Sequence, residues 1–249
     1  MLLLNKNVLI TGCNGGIGRV LCKKIASNGA NIICCIRKKD NKFYKYLKIL
    51  KKKYKKKIKI LEFDLENEKQ ITRSINLLYK NNITIDVLIN NAGIASGSLI
   101  EMTLLSDLKK IFQVNFFSQI YIIQKLLKLL KKSNNPSIIN ICSIAGLLNH
   151  RGTLSYGSSK AALIFATKVM ANEFSSYNIR VNAIAPSAVN TGMYKNMDKN
   201  SQKLLLKDSF LKKPISTEQI ANKVLYLASE KSFKENGKII IINGKKINE

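Results

Sequence analysis

The segment Thr11-Gly12-Cys13-Asn14-Gly15-Gly16-Ile17-Gly18 joins a short β-branched run, Val8–Thr11, to a stretch of helical period, Ile17–Asn28. Glycines in such a strand-to-helix turn let the backbone approach a bound group closely, and the amides that open the helix present partial positive charge to it. A pyrophosphate suits that environment. Taken alone, the same glycines serve equally well as a tight turn with no ligand. Their spacing is specific, since Gly12, Gly16 and Gly18 follow T-G-x(3)-G-x-G and not the general dinucleotide pattern G-x-G-x-x-G.

On both sides of this turn the chain alternates short apolar runs with longer segments of helical period, the pattern of parallel βαβ units. Strands are expected at Val8–Thr11, Asn31–Ile36, Ile58–Phe63, Val87–Asn90, Ser137–Cys142, Arg180–Ala185 and Lys238–Ile242. Helices are expected near Ile17–Asn28, Tyr44–Lys56, Glu68–Lys80, Ser106–Lys132, Ser155–Tyr177 and Thr217–Ala228. The fold class is therefore α/β, a Rossmann-type doubly wound parallel sheet of about seven strands with helices on both faces. No repeat or Pro/Ser-rich linker interrupts the 249 residues, so a single domain spanning 1–249 is expected. In such sheets ligands bind beyond the carboxyl ends of the strands. Thr11, Asn90, Ser143 and Pro186 all fall there, which predicts one cleft.

Composition bounds the function. Lysine and arginine number 42 against 15 acidic residues, for a formal charge of +27. Clustered cations suit a polyanion. Only five of these residues are arginine, however, and lysine is spread along the whole chain among asparagine and isoleucine, as a compositional bias on solvated faces. No nucleic-acid partner is expected, although an acidic protein or substrate could still be drawn to the surface. The densest patch, Lys48 to Lys59, reads as a surface helix running into a strand. No apolar run approaches a membrane span, and a cytoplasmic protein without a membrane partner is expected. Cys13, Cys22, Cys34, Cys35 and Cys142 form no CxxC pair, so neither a disulfide framework nor a metal site is expected.

Tyr156 and Lys160 are four residues apart and share a face if helical. Ser143 precedes Tyr156 by thirteen residues, in Asn140-Ile-Cys-Ser-Ile-Ala-Gly146, and Asn115 lies on the preceding long helical segment. With the glycine turn and Asn90-Asn91-Ala92-Gly93, this ordered set resembles the short-chain dehydrogenase/reductase family across nearly the whole chain. The resemblance implies a catalytic tetrad of Asn115, Ser143, Tyr156 and Lys160. Tyr156 exchanges a proton with a carbonyl or alcohol oxygen, Ser143 bonds that oxygen, Lys160 also holds the nicotinamide ribose, and Asn115 positions a relay water. A lysine cation about 4 Å from the phenol, at an effective dielectric of about 20, supplies roughly 4 kcal/mol, or about three pKa units toward neutrality.

The resemblance also implies the nucleotide contacts: Gly12, Asn14, Gly16, Ile17 and Gly18 at the pyrophosphate, Asp64 and Leu65 at the adenine, and Asn91, Ala92 and Gly93 along the adenosine. Tyr156 and Lys160 meet the cofactor as well, and Pro186, Val189 and Thr191 meet its carboxamide end. Asp64 can double as a helix N-cap. The second strand ends at Ile36 and is followed by Arg37, Lys38 and Lys39 instead of the carboxylate that binds a ribose 2′-hydroxyl. Arg37 suits a 2′-phosphate, so NADP(H) is favoured over NAD(H). Ser187 stands where the family has glycine, which predicts local strain if the position needs positive φ.

Other classes fit less well. His150 is the only histidine and no G-x-S-x-G elbow exists, which removes a serine hydrolase. A non-catalytic nucleotide-binding protein would be expected to lack part of the tetrad. Within the family the chain is most similar to 3-oxoacyl-[acyl-carrier-protein] reductases, implying an acyl-thioester substrate, with a sugar, polyol or other small ketone as the alternative. The segment Gly192–Lys213, the family's substrate lid, carries no diagnostic chemistry. The family resemblance further implies a homotetramer packed through the segments Ser106–Lys132 and Ser155–Tyr177.

Overall fold

β1 (Asn7–Thr11) is buried from Val8 onward on both faces, between β2 (Asn31–Ile36) and β4 (Val87–Asn90). Central parallel strands covered by helices on both sides are apolar at every position, not alternating, which explains the continuous runs in the sequence. The computed structural model describes residues 1–196, 199, 202, 203, 206 and 212–243. Its seven strands form one parallel sheet in the order β3-β2-β1-β4-β5-β6-β7, with β3 at Ile58–Glu62, β5 at Ser137–Ile141, β6 at Arg180–Pro186 and β7 at Ile239–Ile242. Strand order reverses between β1 and β4. The crevice beyond their carboxyl ends is where this architecture binds ligands.

Helices α1 (Gly16–Ser27), α2 (Asn41–Tyr54) and α8 (Thr217–Ala228) cover one face of the sheet, through Leu21, Phe43 and Val224 among others. The opposite face is covered by α3 (Glu68–Lys80), α5 (Ser118–Leu130) and α6 (Leu154–Glu173), through Ile71, Leu126 and Met170. β2 shows the division within one strand, with Cys34 and Ile36 on the first face and Ile33 and Cys35 on the second. Each large side chain fully buried this way contributes about 1.5–3 kcal/mol. Among the described residues no helix is long and apolar enough to cross a membrane.

The structure corrects several local expectations. The expected helix Ser106–Lys132 is three pieces: α4 (Leu105–Phe112), a wide π-helical turn at Gln113–Phe117, and α5. Apolar periodicity runs through the turn and hides it. α2 begins earlier than expected, because the Asp40 carboxylate accepts from Phe43 N at 2.9 Å and caps it. Asp64 is not the cap of α3; Asn67 takes that role, accepting from Gln70 N at 3.0 Å, while Asp64 closes a turn onto Glu66 N. α6 ends at Glu173, and a separate 3-10 turn covers Ser175–Tyr177. A one-turn helix, α7 (Gly192–Lys195), follows β6, while most of the expected lid after it lies outside the described residues.

Candidate active site

The glycine turn closes as its spacing requires. Gly12 has φ +67°, and a Cβ there would stand 2.9 Å from Ala92 Cα, so the backbones of β1 and the Asn91-Ala92-Gly93 segment are in direct contact. A Cβ on Gly18 would strike Gly12 O at 2.2 Å, and one on Gly16 would come within 3.0 Å of Thr191 Cγ2. Thr191, from the loop after β6, thus sits over the start of α1. No side chain caps the N-terminus of α1, where Gly15 is the N-cap residue. Its amides are left for an anionic ligand.

Polar side chains tie this loop to the neighbouring strands. Thr11 Oγ1 accepts from both Asn91 N (3.0 Å) and Ala92 N (2.9 Å), and Asn91 Nδ2 donates back to Thr11 O at 2.9 Å. Deeper, Asn90 Nδ2 donates to Asn140 Oδ1, and Asn140 Nδ2 donates to Thr167 Oγ1, joining β4, β5 and α6. Two buried oxygens at this end of the sheet, Asn91 Oδ1 and Ser187 Oγ, have no hydrogen-bond partner among the described residues. Buried oxygens without partners are uncommon in folded proteins, and beside a cradle that any Cβ would fill they fit a bound polar nucleotide. Ser187 is not among the residues with positive φ, so the strain expected there is absent.

Arg37 is exposed just past β2 and pairs with no described residue. Arg19 is engaged elsewhere: it donates to Asn14 O at 3.0 Å and forms an ion pair with Asp40 at 3.2 Å, over the ring of Phe43. Asp64 and Leu65 are half-buried after β3.

Two of the four expected catalytic side chains, Asn115 and Lys160, meet beside Gly93, and Tyr156 with its partner Ser143 adjoins Lys160. A Cβ on that glycine would stand 3.2 Å from Asn115 Oδ1 and 3.4 Å from Lys160 Nζ. Asn115 lies in the π turn, fully buried; its Oδ1 accepts from Ile94 N at 2.9 Å, and its Nδ2 donates to Ile94 O at 2.9 Å and Ser159 Oγ at 3.1 Å. The wide turn re-aims this amide from the helix toward the loop after β4. With those contacts made, only the second lone pair of Oδ1 remains to the side chain for a relay water.

Tyr156 and Lys160 lie one turn apart on α6. Lys160 Nζ donates to Ile141 O at 2.9 Å and stands 5.9 Å from the centroid of the Tyr156 ring. Burial pushes the Tyr156 phenol above its ordinary pKa, with a hydrogen bond from Ser143 pulling the other way, and burial lowers that of Lys160. This corrects the sequence-level electrostatics. Desolvation, not the lysine cation, sets the direction for the phenol. Cys142, behind them, is held neutral by burial, its thiol pushed up to about 12.

Sequence reasoning missed the two glycines that make this convergence possible. A Cβ on Gly157 would meet Ala145 O at 2.6 Å, and one on Gly146 would meet Ala161 N at 2.7 Å. The turn Ile144–Gly146 is thereby seated on α6, which brings Ser143 to the phenol. Ser159 was also missed; its Oγ donates to Tyr156 O at 2.7 Å while accepting from Asn115. Gly157 and Ser159 sit inside Tyr156-Gly-Ser-Ser-Lys160, where small residues were the available signal. His150 lies in the loop between Ser143 and Tyr156, its carbonyl accepting from Thr153 Oγ1 at 2.7 Å.

A cradle for a dinucleotide at the switch point, beside an Asn–Ser–Tyr–Lys group at the end of β5, defines an oxidoreductase of CH–OH and carbonyl groups, and the chain belongs to the short-chain dehydrogenase family, whose model matches residues 6–202. The chain is similar to 3-oxoacyl-[acyl-carrier-protein] reductase FabG of Aquifex aeolicus (31% identical over 242 residues, 97% of each chain). It is similar to the FabG of Buchnera aphidicola subsp. Schizaphis graminum as well (30% over 239 residues, 96% of each). Among solved structures it resembles the Pseudomonas aeruginosa RhlG/NADP active-site complex, at 27% identity and a TM-score of 0.86 over 97% of this chain and 96% of that one.

Proposed function

We propose that this chain is an NADP(H)-dependent reductase of 3-oxoacyl thioesters carried on acyl carrier protein. The observation that carries the reading is the meeting of Asn115, Ser143, Tyr156 and Lys160 at one end of the sheet, beside a glycine turn whose amides are uncapped. Support for the 2′-phosphate comes from exposed Arg37 and the lack of a carboxylate at the end of β2. RhlG, solved with NADP, is in agreement. The relatives named for 3-oxoacyl-[acyl-carrier-protein] reduction support the substrate class, and a chain of charge +27 suits an acidic carrier.

When bound, the nicotinamide supplies the hydride. Gly12, Asn14, Gly16, Ile17 and Gly18 seat the pyrophosphate, Asp64, Leu65, Asn91, Ala92 and Gly93 line the adenosine, and Pro186, Val189 and Thr191 orient the carboxamide. Ser143 donates a hydrogen bond to the substrate carbonyl oxygen, which strengthens as that oxygen gains charge. Tyr156 delivers its proton to the same oxygen, and Lys160 holds the ribose while its charge steadies the phenolate left behind. Asn115 fixes the Ile94 backbone that walls the site. The same reading takes the protein as a cytoplasmic homotetramer without a nucleic-acid or membrane partner.

The test is oxidation of NADPH and of NADH against a panel of 3-oxoacyl thioesters on carrier protein, sugars, polyols and small ketones. Turnover with NADPH and the carrier-bound thioester is expected. Activity with NADH alone removes the Arg37 argument, and preference for a sugar or small ketone replaces the substrate class.

A further inference from the structure

Three cysteines from consecutive elements of the chain, the first turn, α1 and β2, meet beneath the glycine turn. Cys13 is in the turn itself, Cys22 lies on the sheet-facing side of α1, and Cys34 points from β2 into the same core. All three are fully buried, and their sulfurs lie within 4.8 Å of one another, with Cys22 Sγ and Cys34 Sγ 3.8 Å apart. Three thiolates arranged in a plane around a metal at about 2.3 Å stand roughly 4.0 Å apart. Closing the cluster on an ion needs less than about one ångström of movement on that geometry.

The donor set narrows the choice of ion. Thiolates without oxygen donors select soft cations, Cu(I) or zinc, and zinc in a closed site takes four ligands. Among the described residues no fourth cysteine, histidine or carboxylate joins the group, and Cys35 faces the opposite side of β2. We propose that Cys13, Cys22 and Cys34 form a three-coordinate thiolate site for Cu(I), clasping the glycine turn, α1 and β2 together from inside the core. Binding forms three Cu–S bonds and releases the thiol protons to solvent, with no change of oxidation state. Cys13 Sγ, which donates to Ile10 O at 3.0 Å, gives up that bond on loading.

The full-length protein, reduced and kept anaerobic, is titrated with Cu(I) in competition with bathocuproine disulfonate. Retention of one ion per chain is expected, with ultraviolet thiolate-to-copper absorption and an X-ray absorption shell of three sulfurs near 2.3 Å. Cys13→Ala, Cys22→Ala and Cys34→Ala each lose the tight retention, whereas Cys35→Ala keeps it. Loss of all copper from the parent to the chelator overturns the site, as does unchanged retention in the three variants. Preferential retention of zinc, or a shell of two or four sulfurs, overturns the Cu(I) assignment. The sulfur count is read on the parent protein, so it stands even if an alanine variant fails to fold, and none of these readouts depends on the nucleotide or substrate.

Discussion

Tyr156 holds its proton more tightly than a free phenol because burial opposes the phenolate, while the neighbouring Ser143 hydroxyl relieves part of that cost. The phenol therefore keeps its proton at neutral pH, as the proposed proton donor must. Tyr156→Phe removes only the hydroxyl, and turnover is expected to fall by about 10²–10⁴-fold while NADPH fluorescence still reports binding; equal turnover in mutant and parent refutes the role. Cys142 gives a pH dependence of known sign. Its thiol is raised from 9.0 to about 12 in the folded chain, so above pH 9 the unfolded state sheds a proton that the native state keeps. Its contribution to stability is complete below pH 9 and is lost as pH rises toward about 12. Cys142→Ala should flatten the alkaline decline of the unfolding midpoint between those values, and an unchanged slope would exclude a buried neutral thiol.

At the level of turns and helices, the glycines decide which elements can touch. Gly18 lets α1 reach the Gly12 carbonyl, and Gly146 and Gly157 let the Ser143 turn reach α6. Gly18→Ala places a methyl group 2.2 Å from that carbonyl. The overpacking costs about 1–3 kcal/mol, which lowers the unfolding midpoint by roughly 2–12 °C in a chain of this size. Calorimetry showing a midpoint within a degree or so of the parent would mean that the turn is held less tightly. Glycine at the first turn was legible from spacing, because the pattern repeats a known strand-turn-helix geometry. Gly146 and Gly157 were not, since their neighbours come from other parts of the chain. The π turn at Gln113–Phe117 was invisible for a related reason. One extra residue in a helix barely disturbs an apolar stripe, yet it redirects Asn115 toward Ile94.

Across the whole molecule the charge of +27 is carried by lysines that rarely find acids, and among the described residues the closest ion pair is Arg19–Asp40 at 3.2 Å. Self-repulsion of this kind is screened over about 10 Å at 0.1 M salt. The unfolding midpoint should rise as sodium chloride is taken from about 10 mM to 0.3 M, a range in which the screening length shrinks several-fold; a flat response would show that the excess charge is already locally neutralised. The proposed tetramer is judged on the same scale. Phe165 is 70% exposed on α6 and Phe117 is 52% exposed beside α5, on the helices where the family resemblance puts subunit contacts. Light scattering is expected to give a tetrameric mass that falls in Phe165→Lys, and a monomeric parent removes that reading. The order of strands and helices, the glycine turn and the set Asn115, Ser143, Tyr156 and Lys160 were legible in the sequence alone, because hydrophobic period, glycine spacing and short motifs are local properties of a chain. The tilt of electrostatics at Tyr156, the commitment of Asn115 to Ile94 and the gathering of Cys13, Cys22 and Cys34 were decided only by the tertiary structure. Desolvation and side-chain proximity depend on which distant segments the fold lays against one another, and no spacing along the chain records that.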